Sequence, residues 1–165
     1  GEDQFLEHKK NENIHKMKFI TGCALLFSMK ALKKIGYFDQ NFFLYYEEHD
    51  LYYRCLKSGQ NIYLIDDAKF SHEGTSSTNN EYNHEIHLNR NWHYCWSKFY
   101  YFKKNYGYFY GIKKTLPNFL RALRKYIYYR LIGKKIDTSL HMAEIKGLIS
   151  SYFLRKSSRR PKINK

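Results

Sequence analysis

The sequence has few cysteines and no pattern that would make them structural. Cys23, Cys55 and Cys95 are odd in number and show no Cys-x-x-Cys spacing. Regular cysteine spacings define the disulfide frameworks of small secreted domains and most structural zinc sites. The observed pattern therefore argues against both classes and favours reduced thiols in a cytoplasmic setting.

Long hydrophobic runs and targeting segments are also missing. A membrane-spanning helix needs about 18 or more consecutive apolar residues, and no such run occurs. No signal peptide is visible, and the chain opens with Gly1 rather than Met. We therefore expect a chain without its own membrane span that is a piece of a longer or processed protein.

Acids are scarce in one part of the chain only. Residues 1–97 carry 11 Lys and Arg against 13 Asp and Glu, whereas residues 98–165 carry 18 Lys and Arg against Asp137 and Glu144 alone. The net charge of +14 thus belongs to the C-terminal part, while an aromatic content of 19% argues against disorder. This asymmetry predicts a near-neutral α/β unit followed by a basic, aromatic tail.

The first half of the sequence predicts alternating strands and helices after a polar loop over residues 1–16. The apolar run 18–27 predicts a buried strand interrupted by a glycine. Ser28 is suited to cap a helix over Met29–Ile35 that ends at Gly36. Residues 61–65 predict a further strand, which residues 68–72 extend.

The centre of the chain is the stretch Phe42–Arg54, which reads FFLYYEEHDLYYR. A helix is predicted from Glu47 to Ser58, because acids fill its first turn, where the helix dipole favours them, and Gly59 follows its end. Asp50 is spaced to pair with Arg54 across one helical turn. Acids at the mouth of a helix are placed where a cleft usually lies, although an acidic first turn without chemistry explains the same pattern.

From residue 83 the apolar spacing becomes helical. Three helices are predicted, over residues 83–107, 108–132 and 139–154, with Pro117 expected to kink or divide the second. The last eleven residues, RKSSRRPKINK, are expected to be a basic, disordered end.

Three segments together resemble a known family. They are FITGCALLF, then ALKKIGYFDQNFFLYYEEHDLYYR, then Ser71-His72-Glu73-Gly74. In this order they are similar to the second half of family-two glycosyltransferases with the GT-A fold, and most of all to the rhamnosyltransferase-like branch that builds cell-surface polysaccharide. The resemblance covers roughly residues 18–107. It implies an α/β fold in which residues 1–107 form the acceptor-side, C-terminal half of a Rossmann-like GT-A domain, followed by a helical basic tail over residues 108–165.

The resemblance also implies an activity and its residues. Such enzymes transfer a sugar, with inversion, from a nucleotide-sugar donor to a hydroxyl of a glycan or lipid-linked acceptor. The second acid of the family's motif is the general base; it is usually Asp, and here it is Glu48, one methylene longer. Glu47 and Asp50 complete the implied catalytic acids, and the implied substrate-binding residues are Thr21, Gly22, Phe38, Asp39 and Tyr46. Read without the resemblance, Gly22 is a strand bulge and residues 38–39 are a capped turn.

A metal ligand follows from the same resemblance. In metal-dependent relatives a histidine at the position of His72 helps to hold the divalent cation that binds the nucleotide diphosphate, and imidazole suits Mn²⁺ better than Mg²⁺. The family's Asp-x-Asp metal motif precedes the base, whereas Asp66 and Asp67 follow it. We therefore expect the cation to bind only together with a missing N-terminal half, and the chain to be inactive alone.

The basic tail leaves an alternative open. A nucleic-acid-binding or membrane-surface-binding module without catalysis would also interleave Lys and Arg with aromatic residues. Nucleic acid is disfavoured, because it explains the tail but not the motifs in residues 18–74. An anionic membrane surface is compatible with a lipid-linked acceptor, so we expect a cytoplasmic protein, peripheral at the cytoplasmic face of the membrane.

Overall fold

A computed structural model of the chain describes residues 5–7, 13–20, 24–71 and 83–161. The elements in chain order are β1 (Phe5–Glu7), β2 (Ile14–Met17), α1 (Met29–Ile35), α2 (Glu47–Lys57), β3 (Ile62–Ile65), α3 (Asn83–Tyr106), α4 (Tyr108–Leu131) and α5 (Lys135–Tyr152). They fall into two compact units. The first is Gly1–Asp39 with Glu48–Thr75, and the second is Gln40–Glu47 with Ser76–Lys165.

The first unit contains an antiparallel three-stranded sheet in the order β1-β2-β3. Ile14 lies opposite Ile65 and Met17 lies opposite Ile62. Met17 and Ile62 form a buried cluster with Tyr52 of α2. This contact fixes α2 against the sheet through one apolar face.

The predicted α/β, Rossmann-like fold is wrong. The chain is mostly helical, and its described strands pair only in antiparallel fashion, without the parallel strands of a Rossmann-like sheet. The described part of the apolar run 18–27 forms no strand; Phe19, Ile20 and Leu25 pack against the buried cluster as irregular chain. An apolar run shows that a segment is buried, but its periodicity does not distinguish a strand from an irregular segment.

The strands β1 and β2 lie where the sequence predicted a loop. Residues 14–17 read Ile-His-Lys-Met and do not alternate polar with apolar side chains. Their pairing with β3 supplies the hydrogen bonds that local sequence does not reveal. The strand predicted over residues 61–65 is confirmed as β3, but its extension is wrong for residues 68–71. The remaining predicted residue of that extension, residue 72, lies outside the described residues.

Helix α1 begins and ends as predicted, and α2 begins as predicted but ends at Lys57, one residue before the predicted Ser58. The Ser28 hydroxyl accepts a hydrogen bond from the Ala31 amide at 3.4 Å, and Gly36 ends α1 with φ of 84°. Helix α2 begins at Glu47, and Gly59 after it has φ of 75°. A positive φ is costly for residues other than glycine, which explains glycine at both ends.

The second unit is built from α3, α4 and α5, which pack against one another. Its core includes Trp92 and Trp96 of α3 together with Leu148 of α5. A Cβ added to Gly147 would lie 2.3 Å from the Trp92 carbonyl oxygen, so α5 crosses α3 at backbone contact distance. The boundary predicted at residue 107 falls between α3 and α4, inside this unit.

Helix α4 runs continuously through Pro117 rather than dividing there. Proline removes the hydrogen bond to the carbonyl of Lys113, four residues earlier. Both residues are exposed. Water can therefore bond the released carbonyl, and the helix continues.

The predicted disorder of the C-terminus is wrong for its described part. The Trp96 indole Nε1 donates to the Arg155 carbonyl at 2.9 Å, and His93 Nε2 bonds the Arg159 carbonyl at 2.9 Å. Because the carbonyl only accepts, this His93 nitrogen carries the proton. Residues 155–160 are thus fixed along α3, while residues 162–165 lie outside the described residues. No helix in the described part of the chain is long and apolar enough to cross a membrane.

Candidate functional site

The three predicted catalytic acids lie at the start of α2 but do not share one face. About 3.6 residues complete a helical turn, so Glu48 and Asp50 lie on nearly opposite sides, whereas Glu47 and Asp50 lie on the same side. Glu48 shares its side with Tyr52, one turn further on. The local geometry therefore places Glu48 and Asp50 in different environments.

The chain enters α2 through a strained backbone. Tyr45 and Tyr46 have φ of 65° and 67°, in the left-handed region. That conformation costs a residue with a side chain about 1–2 kcal/mol. Two consecutive instances persist only where surrounding contacts enforce them, and such strain is concentrated at functional sites.

Contacts with α3 enforce this conformation. The Ser97 hydroxyl donates to the Leu44 carbonyl at 2.7 Å. The ring of Tyr94 lies 5.7 Å from that of Tyr45 and also 5.7 Å from that of Tyr46. Burial, together with a hydrogen bond to Tyr94, raises the pKa of Tyr46, so its phenol stays neutral. The predicted substrate-binding Tyr46 is thus held by aromatic packing within the second unit.

Asp50 is used structurally. Its side chain is fully buried, and Arg54 Nε donates to its Oδ2 at 2.9 Å, which confirms the pairing predicted from the spacing. The same guanidinium donates to the Gly36 carbonyl at 2.9 Å and to the Tyr37 carbonyl at 2.7 Å. Arg54 therefore joins α2 to the C-terminal end of α1. We call this group of four residues the Arg54 clasp.

The sequence indicated the ion pair but missed the contacts of Arg54 with the backbone. A signal was present, because Gly36 ends a helix whose last carbonyls need donors, and an arginine is a suitable donor. Phe38 and Asp39, predicted to bind substrate, follow the clasp directly in sequence. The Phe38 ring is exposed and meets the Phe27 ring edge-on at 5.8 Å. The clasp thus fixes the turn from which these two residues extend.

Glu48 lies outside the Arg54 clasp. Its side chain is half-buried. Burial raises the pKa of Tyr52 to about 12, and the Glu48 carboxylate contributes to that shift. The Tyr52 hydroxyl is buried and has no hydrogen-bond partner among the described residues.

Glu47 and His49 flank Glu48 in sequence and have different environments. The Oε2 of Glu47 is buried and accepts no hydrogen bond from the described part of the chain. The His49 ring lies 4.3 Å from the Phe19 ring, and burial lowers its pKa, so the imidazole is neutral at pH 7. The sequence motif did not single out His49, because any residue is accepted at that position.

Three of the predicted site residues, Thr21, Gly22 and His72, lie outside the described residues. Within the described ranges no three His, Cys, Asp or Glu side chains come together as a metal site. A cavity of about 80 Å³ lies in the second unit, and none of the acids of α2 lines it.

Comparison with known proteins found no match to any protein-family model, curated protein or solved structure. The resemblance to family-two glycosyltransferases therefore remains a prediction from the sequence motifs.

Proposed function

We propose that this chain carries the acceptor-activating part of an inverting glycosyltransferase, with Glu48 as the general base. The observation that carries the proposal is that the acids of the motif have different environments. Asp50 is buried in the Arg54 clasp, while Glu48 stands on the opposite side of α2 and is half-buried. A motif that was only an acidic first turn would not need strained residues before it and a buried clasp within it.

The proposed chemistry is a single displacement. Glu48 accepts the proton of the acceptor hydroxyl as its oxygen attacks the anomeric carbon of the sugar. A new glycosidic C–O bond forms while the bond from that carbon to the nucleoside diphosphate breaks. Attack from the face opposite the leaving group inverts the configuration. General-base help of this kind contributes about 10²–10⁴-fold to the rate.

Two features near Glu48 support the proposed role. The Arg54 clasp joins α2 to the C-terminal end of α1. Tyr45 and Tyr46, in left-handed backbone, directly precede the helix in sequence. Positional control matters because a displacement of about 1 Å can cost about a hundredfold in rate. It matters more for Glu48 than for an aspartate, since the extra methylene adds a rotatable bond.

The proposed donor is a nucleotide-sugar and the acceptor a glycan or lipid-linked hydroxyl, at the cytoplasmic face of a membrane. The proposal is tested with the full-length gene product that contains this chain. It is incubated with single nucleotide-sugars and with acceptor extracts, and release of nucleoside diphosphate is measured.

Release that depends on both donor and acceptor, with an inverted anomeric centre in the product by NMR, is the expected result. A product with retained configuration would overturn the proposed displacement. Absence of release across uridine, guanosine, thymidine and cytidine diphosphate sugars would overturn the assignment to sugar transfer.

A further inference from the structure

Helix α4 has two apolar faces, and only one of them packs inside the protein. The packed face carries Gly111, Thr115 and Ala122, which are buried against α3 and α5. Gly111 lies against the Phe99 ring, and the hydroxyl of Thr115 is 3.0 Å from that of Tyr152. These contacts fix the rotation of α4 about its axis.

The second apolar face is exposed. It is a stripe with spacing of three, four and seven residues, centred about 120–140° around the helix from the packed face. The exposed fractions are 55% for Leu120, 50% for Ile127 and 81% for Leu131. We call it the outer stripe, and its members are Phe109, Leu116, Leu120, Leu123, Ile127 and Leu131.

The charged residues distributed around α4 and just after it are all basic, and we call them the basic border. Residues 108–135 contain no Asp or Glu. Within the described part of the chain, none of the basic side chains in this range forms an ion pair. The basic residues are Lys113, Lys114, Arg121, Arg124, Lys125, Arg130, Lys134 and Lys135.

We propose that the outer stripe and its basic border dock the protein on an anionic lipid surface, with α4 lying in the plane of the membrane interface. An exposed apolar stripe beside a face rich in Lys and Arg is the arrangement of interfacial helices. The apolar side chains enter the acyl boundary, and the cations stay among the lipid phosphates. The inference does not rest on the proposed sugar transfer.

Charge and side-chain chemistry distinguish this occupant from others. A second copy of the chain would bring the same basic border and a net charge of +14 toward itself, which repels. Single-stranded nucleic acid binds to aromatic platforms on which bases stack. Five of the six members of the outer stripe are aliphatic, and these side chains suit acyl chains rather than bases.

Vesicle sedimentation tests the docking directly. The chain is mixed with phosphatidylcholine vesicles with or without phosphatidylglycerol, at low and high salt. We expect strong binding only with phosphatidylglycerol, weakening as salt rises. Replacing Arg121, Arg124 and Lys125 with Gln should lower the affinity by about a hundredfold, because each basic residue near an anionic surface contributes about fivefold.

The apolar part of the proposal needs its own variants. Leu120→Gln, Ile127→Gln and Leu131→Gln are combined in one protein, and the matched control combines Ile136→Gln, Ile149→Gln and Phe153→Gln on or just after α5. Circular dichroism and the emission of the buried Trp92 and Trp96 verify that both variants fold. Only the α4 variant should lose vesicle binding, by at least tenfold.

Insertion is measured with a tryptophan placed in the stripe. Leu120→Trp should be quenched by brominated phosphatidylcholine mixed with phosphatidylglycerol, whereas Phe153→Trp should not exceed the background of the native tryptophans. Equal quenching at both positions would overturn the docking orientation. Equal binding to neutral and anionic vesicles, or unchanged binding by the α4 variant, would overturn the proposal. Binding to single-stranded RNA but not to vesicles would overturn it in favour of nucleic acid.

Discussion

Removal of the Arg54 guanidinium should destabilise the first unit strongly. In Arg54→Ala the fully buried Asp50 loses its cation, and the carbonyls of Gly36 and Tyr37 lose donors at 2.9 and 2.7 Å. Removing one partner of a buried ion pair costs about 3–5 kcal/mol. Because a domain's free energy of unfolding is about 5–15 kcal/mol, this is a large part of the total.

Hydrogen exchange at α1 is the appropriate assay. Trp92 and Trp96 both belong to the second unit, so tryptophan fluorescence does not report on α1 directly. The Gly36 amide, which donates to the Leu32 carbonyl at 2.8 Å, reports opening at the clasped end of the helix. Its protection should fall by a hundredfold or more in Arg54→Ala, if exchange follows opening of the clasp.

The matched control is Lys34→Ala. Lys34 Nζ makes a single exposed hydrogen bond, 3.3 Å long, to the Ser58 carbonyl. An exposed contact of this kind contributes less than about 0.5 kcal/mol. If Arg54→Ala changes the protection of the Gly36 amide no more than Lys34→Ala does, the clasp does not hold the two helices and the reasoning fails.

Three further predictions follow from the same structure. Burial lowers the pKa of His93 from an ordinary 6.5, so the unfolded chain binds more protons than the folded chain below that pH. The free energy of unfolding should therefore fall as the pH drops from about 7 to 5. An equally steep fall in His93→Gln would contradict this prediction. Gly147→Ala should lower the free energy of unfolding in urea by at least about 2 kcal/mol, because its Cβ would lie 2.3 Å from the Trp92 carbonyl oxygen. The control Lys146→Ala should be nearly neutral. Equal urea midpoints for the two variants would refute the close crossing of α3 and α5. Calorimetry of this chain with Mn²⁺ should show no tight site, since His72 and its neighbour alone offer too few ligands for a cation that wants about six; a micromolar site would contradict that expectation.

Local signals in the sequence predicted the helices well. The cap Ser28, the stop Gly36 and the i,i+4 pair of Asp50 and Arg54 act over a few residues, so short stretches of sequence determine them. The strand β2 was missed because its partner β3 lies about 48 residues further on, and register between distant segments has no local signature. The α/β, Rossmann-like fold class was implied by the family resemblance, and the predominance of helices and the antiparallel pairing of the described strands contradict it.

Residues that the sequence placed in one group differ in their burial in the structure. The sequence grouped Glu48 with Asp50 as catalytic acids, and only the structure shows that Asp50 is fully buried and clasped. Likewise, the apolar residues of α4 were visible in the sequence, but which of them pack depends on where α3 and α5 lie. The positive φ of Tyr45 and Tyr46 had no signal at all, because tyrosine does not favour that conformation.

Turnover of Glu48→Gln in the full-length gene product tests the proposed base most directly. The substitution removes the proton acceptor but keeps the size of the side chain. Turnover should fall by about a hundredfold or more, with donor affinity and the protection of α2 amides unchanged, whereas Glu47→Gln should retain most activity. Retention of more than about a tenth of the turnover in Glu48→Gln would contradict the role of Glu48 and make Glu47 the next candidate.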